Sequence, residues 1–419
     1  MEAREAGNSD ELKLHYATML GLTRPWVVGR VDLQLPAKRL EIHLEEEPGV
    51  NFDCPVCGRG CWLHDHAPAR RWRHLDAMGF ETLLVANLPR VRCPEHGVKT
   101  ARVPWAEAHS RFTLAFEAFA IAVLQAAANL KAAIGLLGLN WKSLQDIVDR
   151  AVARGLARRS VADVPRVGLD EKSFGKGQDY ISVMCDLGQA RVLEVVPGRD
   201  TTSARALWQK LPEEVRGRVQ AAAMDMSAGY QNATRIEAPQ ARIVFDKFHV
   251  AKHLGEAVDR TRRAEHKSLM AQGDDTLKGA RYLFLYNPQN LSPEQSTSFK
   301  ALLQINLKSG RAWAYKELFS AFWEQPGVEA ARQFLQNWLG KVKRTRLPEM
   351  KKAAATIGRH SEGLLNYFGH RITNALCEGF NSRIQQLKAA ARGFRNFANY
   401  RSRILFFLGS LNLAPTHSH

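Results

Sequence analysis

Two short runs near the N-terminus, Cys54-Pro55-Val56-Cys57-Gly58 and Cys93-Pro94-Glu95-His96-Gly97, repeat one pattern: two ligand-type side chains, two residues apart, in a turn closed by glycine. Such a turn aims both side chains at one point. Two turns together offer the four S or N ligands that a structural Zn²⁺ takes in a tetrahedron. Cys54, Cys57, Cys93 and His96 are therefore expected to hold one Zn²⁺ in a zinc ribbon, a pair of knuckles separated by a β-hairpin. Arg70 to His74 and Glu81 to Val85 are the candidate strands between them, with Arg73, Arg90 and Arg92 available to phosphate. The alternative, buried free thiols, is disfavoured by the paired spacing. Cys61, His64 and His66 lack the second member of a knuckle and read as surface or loop residues. Four of only six cysteines in 419 residues fall between Cys54 and Cys93, which excludes a disulfide scaffold and suits a reducing compartment.

Charge narrows the partners. Lys and Arg number 59 against 42 Asp and Glu, a formal net charge of +17, so the summed field attracts polyanions and nucleic acid comes first among them. The hydrophobic share of 45% with 24% charged residues is that of a globular chain long enough for several domains, not a disordered one. The uncharged stretch from Ala118 to Leu130 falls short of the roughly 20 apolar residues that span a bilayer. The start, MEAREAGNSDELK, lacks the basic and apolar segments of a signal peptide. A cytoplasmic protein without a membrane partner is expected.

Arg39 to Glu45 alternates apolar and polar residues, so a small β-rich module is expected to start near residue 35, within an N-terminal zinc-ribbon domain over 1–105. Over 110–160 the spacing becomes helical. Asn129 to Leu137, the turn Gly138-Leu139-Asn140 and a second helix from Trp141 to Arg154 have the length and turn of a helix-turn-helix, with Asn140 as N-cap. Leu144, Ile147, Val148 and Ala151 form one buried stripe. Lys142, Ser143, Gln145, Asp146 and Arg150 are placed on the opposite face, and Lys142, Ser143 and Gln145, nearest the helix start, are candidates for reading base edges. A helical hairpin packed inside a larger domain is the alternative. The basic run Arg154 to Arg159, leading to Pro165, reads as a linker.

Three β-type runs follow, Val167 to Phe174, Tyr180 to Leu187 and Arg191 to Val196, separated by breaks at Gly175 to Gln178 and at Gly188-Gln189. A helix over Thr202 to Leu211, an apolar run ending at Asp225 and a run from Ala241 to Phe245 continue an α/β alternation. From about Val250 to Gly369 the chain reads as helix upon helix. Asp170 ends or interrupts the first run, Asp225 ends a later one, and Glu378 lies on the polar side of a long helix with Leu376, Phe380, Ile384 and Leu387 opposite. Two acids at strand ends of one sheet invite a divalent cation. Each acid also has an ordinary alternative: a hairpin acid, an N-cap, a solvated helix glutamate. Asp246 and His249 are equally balanced between bordering such a site and mere capping and packing.

The blocks VGLDEKSFGKG, AAMDMSAGY, FDKFHV and NALCEGFNSRIQQLKAAARGF resemble those of bacterial insertion-sequence transposases of the L-three family, and the resemblance runs from the strand before Cys54 to about Leu408. His96 in place of a fourth ribbon cysteine is the one departure, and imidazole is a good zinc ligand. The resemblance implies an α/β catalytic domain of ribonuclease-H-like fold with a mixed sheet, first part 163–250, an all-helical insertion over 251–370 and C-terminal helices over 371–412. It implies that Asp170, Asp225 and Glu378 are the DDE triad, binding Mg²⁺, in all two ions. It further implies cleavage and joining of DNA at the element's terminal inverted repeats, work at the bacterial nucleoid, and a homodimer or higher assembly on double-stranded DNA. The 152 residues between Asp225 and Glu378 accommodate the insertion.

Past Glu378, Arg383, Lys388, Arg392, Arg395, Arg401 and Arg403 have no acid among them, and Lys341, Lys343, Arg344, Arg346, Lys351 and Lys352 form a second basic group; both are expected to meet phosphate. Among the DNA-contact residues, Arg150, Arg383, Lys388, Arg392 and Arg395 join Lys142, Ser143 and Gln145. Trp313, Trp323 and Trp338 are expected mostly in the core. Two rival functions remain: a zinc-containing DNA-binding regulator with an inactive ribonuclease-H-like domain, and a structure-selective nuclease.

Overall fold

Short runs of apolar and β-branched side chains become strands in both halves of the chain. The computed structural model describes residues 10–127, 130–161, 163–175 and 179–415. They fall into two units, one running to Arg159 and including the segment from Leu411 on, the other spanning Ser160–Ser410.

The first unit begins with α1 (Asp10–Met19), then β1 (Trp26–Gln34), β2 (Arg39–Glu46), β3 (Phe52–Asp53), β4 (Gly60–Cys61), β5 (Leu63–His66), β6 (Arg70–Arg73), β7 (Glu81–Ala86), β8 (Pro89–Cys93) and β9 (Gly97–Thr100). Strands pair in the order β1-β2-β7-β6, with a second sheet β5-β8-β9 and the pair β3-β4. The β module thus starts at Trp26, earlier than the sequence pattern indicates. A bulge between Val28 and Arg30 breaks the period of two in β1, and Gly29 there lies so close to the Glu45 carboxylate that a Cβ would overlap it. A second correction concerns β6 and β7. They are strands, but they extend the N-terminal sheet, and the knuckles sit on β3, β4, β8 and β9 instead. Trp26, Ile42, Trp72, Leu84 and Trp105 fill the core, with Trp105 edge-on to Trp26 at 4.7 Å and to Trp72 at 5.7 Å.

Three helices complete this unit: α2 (Leu114–Ala126), α3 (Leu130–Leu137) and α4 (Trp141–Arg158). Asn129, the expected first residue of the helix pair, lies outside the described residues. Helix α4 runs through Arg158, so the basic run expected as a linker is instead its last turn and cap. There Arg154 pairs with Glu107 at 2.8 Å.

The second unit opens with β10 (Arg166–Ser173), β11 (Tyr180–Asp186) and β12 (Arg191–Pro197), followed by α5 (Thr201–Gln209), α6 (Glu213–Arg216), β13 (Ala221–Met224), α7 (Ala228–Glu237) and β14 (Arg242–Phe245). The break at 176–178 lies outside the described residues. Strand order is β12-β11-β10-β13-β14; β11 is antiparallel to its neighbours, and β13 and β14 run parallel to β10. Leu207, Trp208 and Tyr230 of α5 and α7 share a core with Val167, Leu169 and Met184 of the sheet. The chain then runs through α8 (Lys247–Met270), α9 (Arg281–Leu285), α10 (Pro293–Gln304), α11 (Lys308–Ser320), α12 (Val328–Lys343), α13 (Pro348–Arg359) and α14 (Ser361–His370), with no strand among the described residues of this stretch. Trp338 is buried and donates to the Tyr315 carbonyl at 3.0 Å, while Trp313 and Trp323 pack against the same core. Helices α15 (Ala375–Ala390) and α16 (Phe397–Leu408) close the unit. Among the described residues no helix is long and apolar enough to cross a membrane.

Candidate active site, metal centre and DNA-contact surface

Strand register decides where the acids stand. Val167 aligns with Ala222 and Ile243, and Gly168 aligns with Ala223 and Val244. Side chains alternate across a strand. Val167, Leu169, Ala222, Met224 and Phe245 belong to the main core, whereas Ala223 and Val244 belong to a separate small cluster with Ile372. Asp170, in the middle of β10, and Asp225, just past the end of the adjacent parallel strand β13, continue the alternation onto this second face. Helix α15 crosses the same face. Gly168 makes the crossing possible, because a Cβ there would overlap the Cys377 sulfur.

Asparagines of α15 bind the first strand. Asn374 Nδ2 donates to the Leu169 carbonyl at 3.3 Å, and Asn381 Nδ2 donates to Asp170 Oδ2 at 2.8 Å. Glu378 lies between them, half-buried in the first turn. The other Asp170 oxygen accepts the Glu171 N–H at 2.8 Å, and Asp225 Oδ1 accepts the Ser227 N–H at 2.9 Å. Burial first, then the charges of Asp225 and Glu378, push the Asp170 carboxyl up to about 6, against the Glu171 N–H and His249. Burial and the Asp246 charge likewise raise Glu378, with His249 opposing. Negative groups that raise one another in this way are relieved by a divalent cation. Ligating atoms of Asp246, His249 and Glu378 lie within 4.8 Å of one another, while Asp170 and Asp225 stand outside that tight cluster. Asp246 and His249, equally balanced in the sequence between bordering the site and mere capping and packing, thus join Glu378; the signal for them is an acid at the end of β14, in step with Asp170 and Asp225.

In the first unit Cys54, Cys57, Cys93 and His96 converge, their ligating atoms all within 4.8 Å of one another. Cys57 Sγ to Cys93 Sγ is 3.7 Å, Cys93 Sγ to His96 Nδ1 is 3.5 Å, and Cys54 Sγ to His96 Nδ1 is 3.9 Å. A tetrahedron with Zn–S of about 2.3 Å and Zn–N of about 2.1 Å has S–S edges near ~3.8 Å and S–N edges near ~3.6 Å, so the four residues fit that ion. Burial opposes ionisation of Cys93, but the N–H groups of Glu95 and His96 outweigh it and bring the thiol down to about 7. Cys61 is not a surface residue. It is buried on β4 and donates to the Arg59 carbonyl at 3.3 Å, beside the cluster but not one of its four converging ligands. His66 pairs with Glu46, and His64 lies 3.4 Å from Arg92.

The helix pair has the expected turn, with Gly138 at φ +62° and Asn140 Oδ1 accepting the Ser143 N–H at 2.8 Å. Lys142 is exposed, and Gln145 is half-buried, its amide on Asp149 at 2.8 Å. Ser143 and Arg150, expected on the outward face, turn inward. Ser143 is 6% exposed. Arg150 donates at 2.9 Å to Glu117, a fully buried acid that also takes Arg154 at 3.2 Å. Both lie three or four residues from Ile147, on the flank of the buried stripe. In α15 and the loop after it, Arg383, Arg392 and Arg395 are exposed. Lys388 instead donates to the Ser173 carbonyl of β10 at 3.3 Å. Arg401 is not unbalanced: it forks onto the buried Glu194 at 2.6 and 2.5 Å, and Arg403 is itself buried.

Comparison with known proteins adds three domain matches. Residues 167–404 match a family model described as a transposase, residues 51–96 match the zinc-finger of transposase IS204/IS1001/IS1096/IS1165, and residues 101–152 match the helix-turn-helix domain of transposase family ISL3. The chain is 29% identical to the transposase for insertion sequence element IS1557 of Mycobacterium tuberculosis, over 96% of this chain and 98% of that one. It is 28% identical to the transposase for insertion sequence element IS1001 of Bordetella parapertussis, over 86% of this chain and 89% of that one.

Proposed function

The chain belongs to the ISL3 family of insertion-sequence transposases, and from that premise we propose that it binds its element's terminal inverted repeats and catalyses metal-dependent cleavage and strand transfer by a DDE mechanism. One observation carries the reading: Asp170 within β10 and Asp225 at the end of the neighbouring parallel strand β13 share one face, and α15 brings Glu378 to that face. The strand order, with β11 alone antiparallel, supports a ribonuclease-H-like catalytic domain over 163–250, with the helices of 251–370 as its insertion and 371–412 returning Glu378 to it.

Asp170, Asp225 and Glu378 would hold Mg²⁺, two ions in all, and the four ribbon ligands one Zn²⁺. Bound Mg²⁺ supplies charge that makes a water or a DNA 3′-hydroxyl a better nucleophile and stabilises the leaving oxygen. The protein's part is positioning. Asn381 fixes one Asp170 oxygen and the Glu171 N–H the other, so the carboxylate keeps its orientation before any substrate arrives. Ser227 does the same for Asp225. Lys388 ties the far end of α15 to β10, holding Glu378 above the acids. The helix pair and the exposed arginines of the C-terminal segment would engage double-stranded DNA, and joining two element ends asks for at least a homodimer.

The test is a labelled DNA carrying the repeats that flank the coding region. With Mg²⁺ the purified chain is expected to nick the 3′ strand at the repeat end and join it to a second duplex, and to leave scrambled ends uncut. Binding without cutting or joining would favour the regulator; cutting at branched structures irrespective of the repeats would favour the nuclease.

A further inference from the structure

The segment FDKFHV, which ends β14 and starts α8, holds groups that the triad does not use. Ala222 and Ile243, Ala223 and Val244, and Met224 and Phe245 are paired neighbours. One residue further, the same register sets Asp246 beside Asp225, as Asp225 stands beside Asp170. Parallel neighbours lie about 4.8 Å apart, so the three acids form a row across three neighbouring strands, on one face.

Asp246 is 3% exposed. Its Oδ1 caps α8 by accepting the Phe248 N–H at 3.1 Å, but its Oδ2 is buried with no hydrogen-bond partner. One turn into α8, His249 Nδ1 is also buried without a partner. A carboxylate oxygen and a ring nitrogen are both left without donors or acceptors where burial makes that costly. These two residues and Glu378 bring their ligating atoms within 4.8 Å of one another. Two carboxylates and an imidazole converging on one point are a cation-binding set. Capping accounts for one oxygen of Asp246 and leaves the other, and His249, unexplained.

We propose that Asp246, His249 and Glu378 form one of the two cation positions of this unit, the other being on Asp170 and Asp225, with Glu378 shared between them. The nitrogen ligand sets the class of ion. Magnesium and calcium take oxygen, whereas imidazole favours a first-row transition ion, so this position selects a cation such as Mn²⁺ over Mg²⁺. The assignment rests on the reading of Asp170, Asp225 and Glu378 given above and adds two ligands to it.

The test uses the full, zinc-loaded chain without DNA. Mn²⁺ is titrated in, bound ions are counted by electron paramagnetic resonance, and pulsed measurements report a coordinated nitrogen. Two Mn²⁺ per chain are expected, one with a nitrogen ligand, and Mg²⁺ should displace the nitrogen-free ion first. Asp246→Asn, which keeps the cap on Phe248, and His249→Gln should each weaken one ion at least tenfold; His249→Gln should also erase the nitrogen signal. Asp225→Asn should lose the other ion and keep that signal. Wild-type protein that binds fewer than two Mn²⁺, or His249→Gln protein that keeps both ions and the nitrogen signal, would overturn the proposal. Two ions retained by both Asp170→Asn and Asp225→Asn would instead sink the triad reading. Circular dichroism melting of each variant separates loss of a ligand from loss of fold, and Asp246→Asn with a wild-type melt and two tight ions also refutes it.

Discussion

Glu117 has no exposed surface and is held by Arg150, Arg154 and Ser110, which makes one carboxylate the pin between α2 and α4. Removing one partner of such a cluster leaves the others buried and uncompensated, at a cost of about 3–5 kcal/mol. Glu117→Gln should therefore lower the stability of the first unit by that order, read by chemical denaturation, and Arg150→Met should do likewise while leaving base discrimination unchanged. A change in sequence preference without loss of stability would return Arg150 to the DNA surface. His74 offers a pH test. Burial, aided by the Arg73 charge, depresses its pKa from 6.5 to about 4, and its Nδ1 lies 2.9 Å from Thr113, the cap of α2. The unfolded chain takes up a proton that the folded chain resists. Stability is then full above about pH 6.5 and falls as the pH drops towards about 4, by about 3 kcal/mol in all. Hydrogen-exchange protection of α2 should fall over that window in the wild type and much less in His74→Gln; equal slopes would remove His74 as the cause.

At the level of elements, the knuckles were legible because their chemistry is local: two ligands, two residues apart, in a glycine-closed turn. The strands from β10 to β14 were legible as short β-type and apolar runs separated by glycine and polar breaks. Contacts between distant segments were not. Glu117 lies 33 residues from Arg150, and Glu194 lies 207 residues from Arg401, so charges that looked outward or unbalanced are paired inside. Ser143 failed for a different reason, since a helix position on the flank of an apolar stripe can turn either way. Glu378 shows in the sequence as a helix acid, but its place in the triad rests on family resemblance, because its approach to Asp170 depends on Gly168 letting α15 lie close to β10, which no single-segment pattern reveals. The ribbon supports a direct expectation. Because metal binding supplies much of the folding energy of such small modules, protein prepared without chelator should carry one Zn²⁺ per chain, and Cys93→Ser should lose it and unfold β3, β4, β8 and β9. Elemental analysis giving less than half an equivalent in wild-type protein would count against the site.

Across the whole molecule, a charge of +17 provides attraction, and the question is which residues add selectivity. Phosphate contacts hold and base contacts specify. Replacing Gln145 should relax discrimination at particular base pairs by about 1–3 kcal/mol for a good bidentate contact. Replacing Arg392 and Arg395 should weaken matched and scrambled DNA alike and flatten the salt dependence by about one log unit per lost contact. Binding measured at several salt concentrations separates the two, and equal losses on both DNAs for the Gln145 variant would make the helix pair architectural. The central claim is that the acids on β10 and at the end of β13, with Glu378, cut DNA that other parts of the chain recognise. It is tested most directly by measuring binding and cleavage of the same labelled repeat end in parallel for Asp170→Ala, Asp225→Ala and Glu378→Gln. Wild-type affinity with cleavage abolished in all three is the expected result; substantial cutting by Asp225→Ala would contradict it.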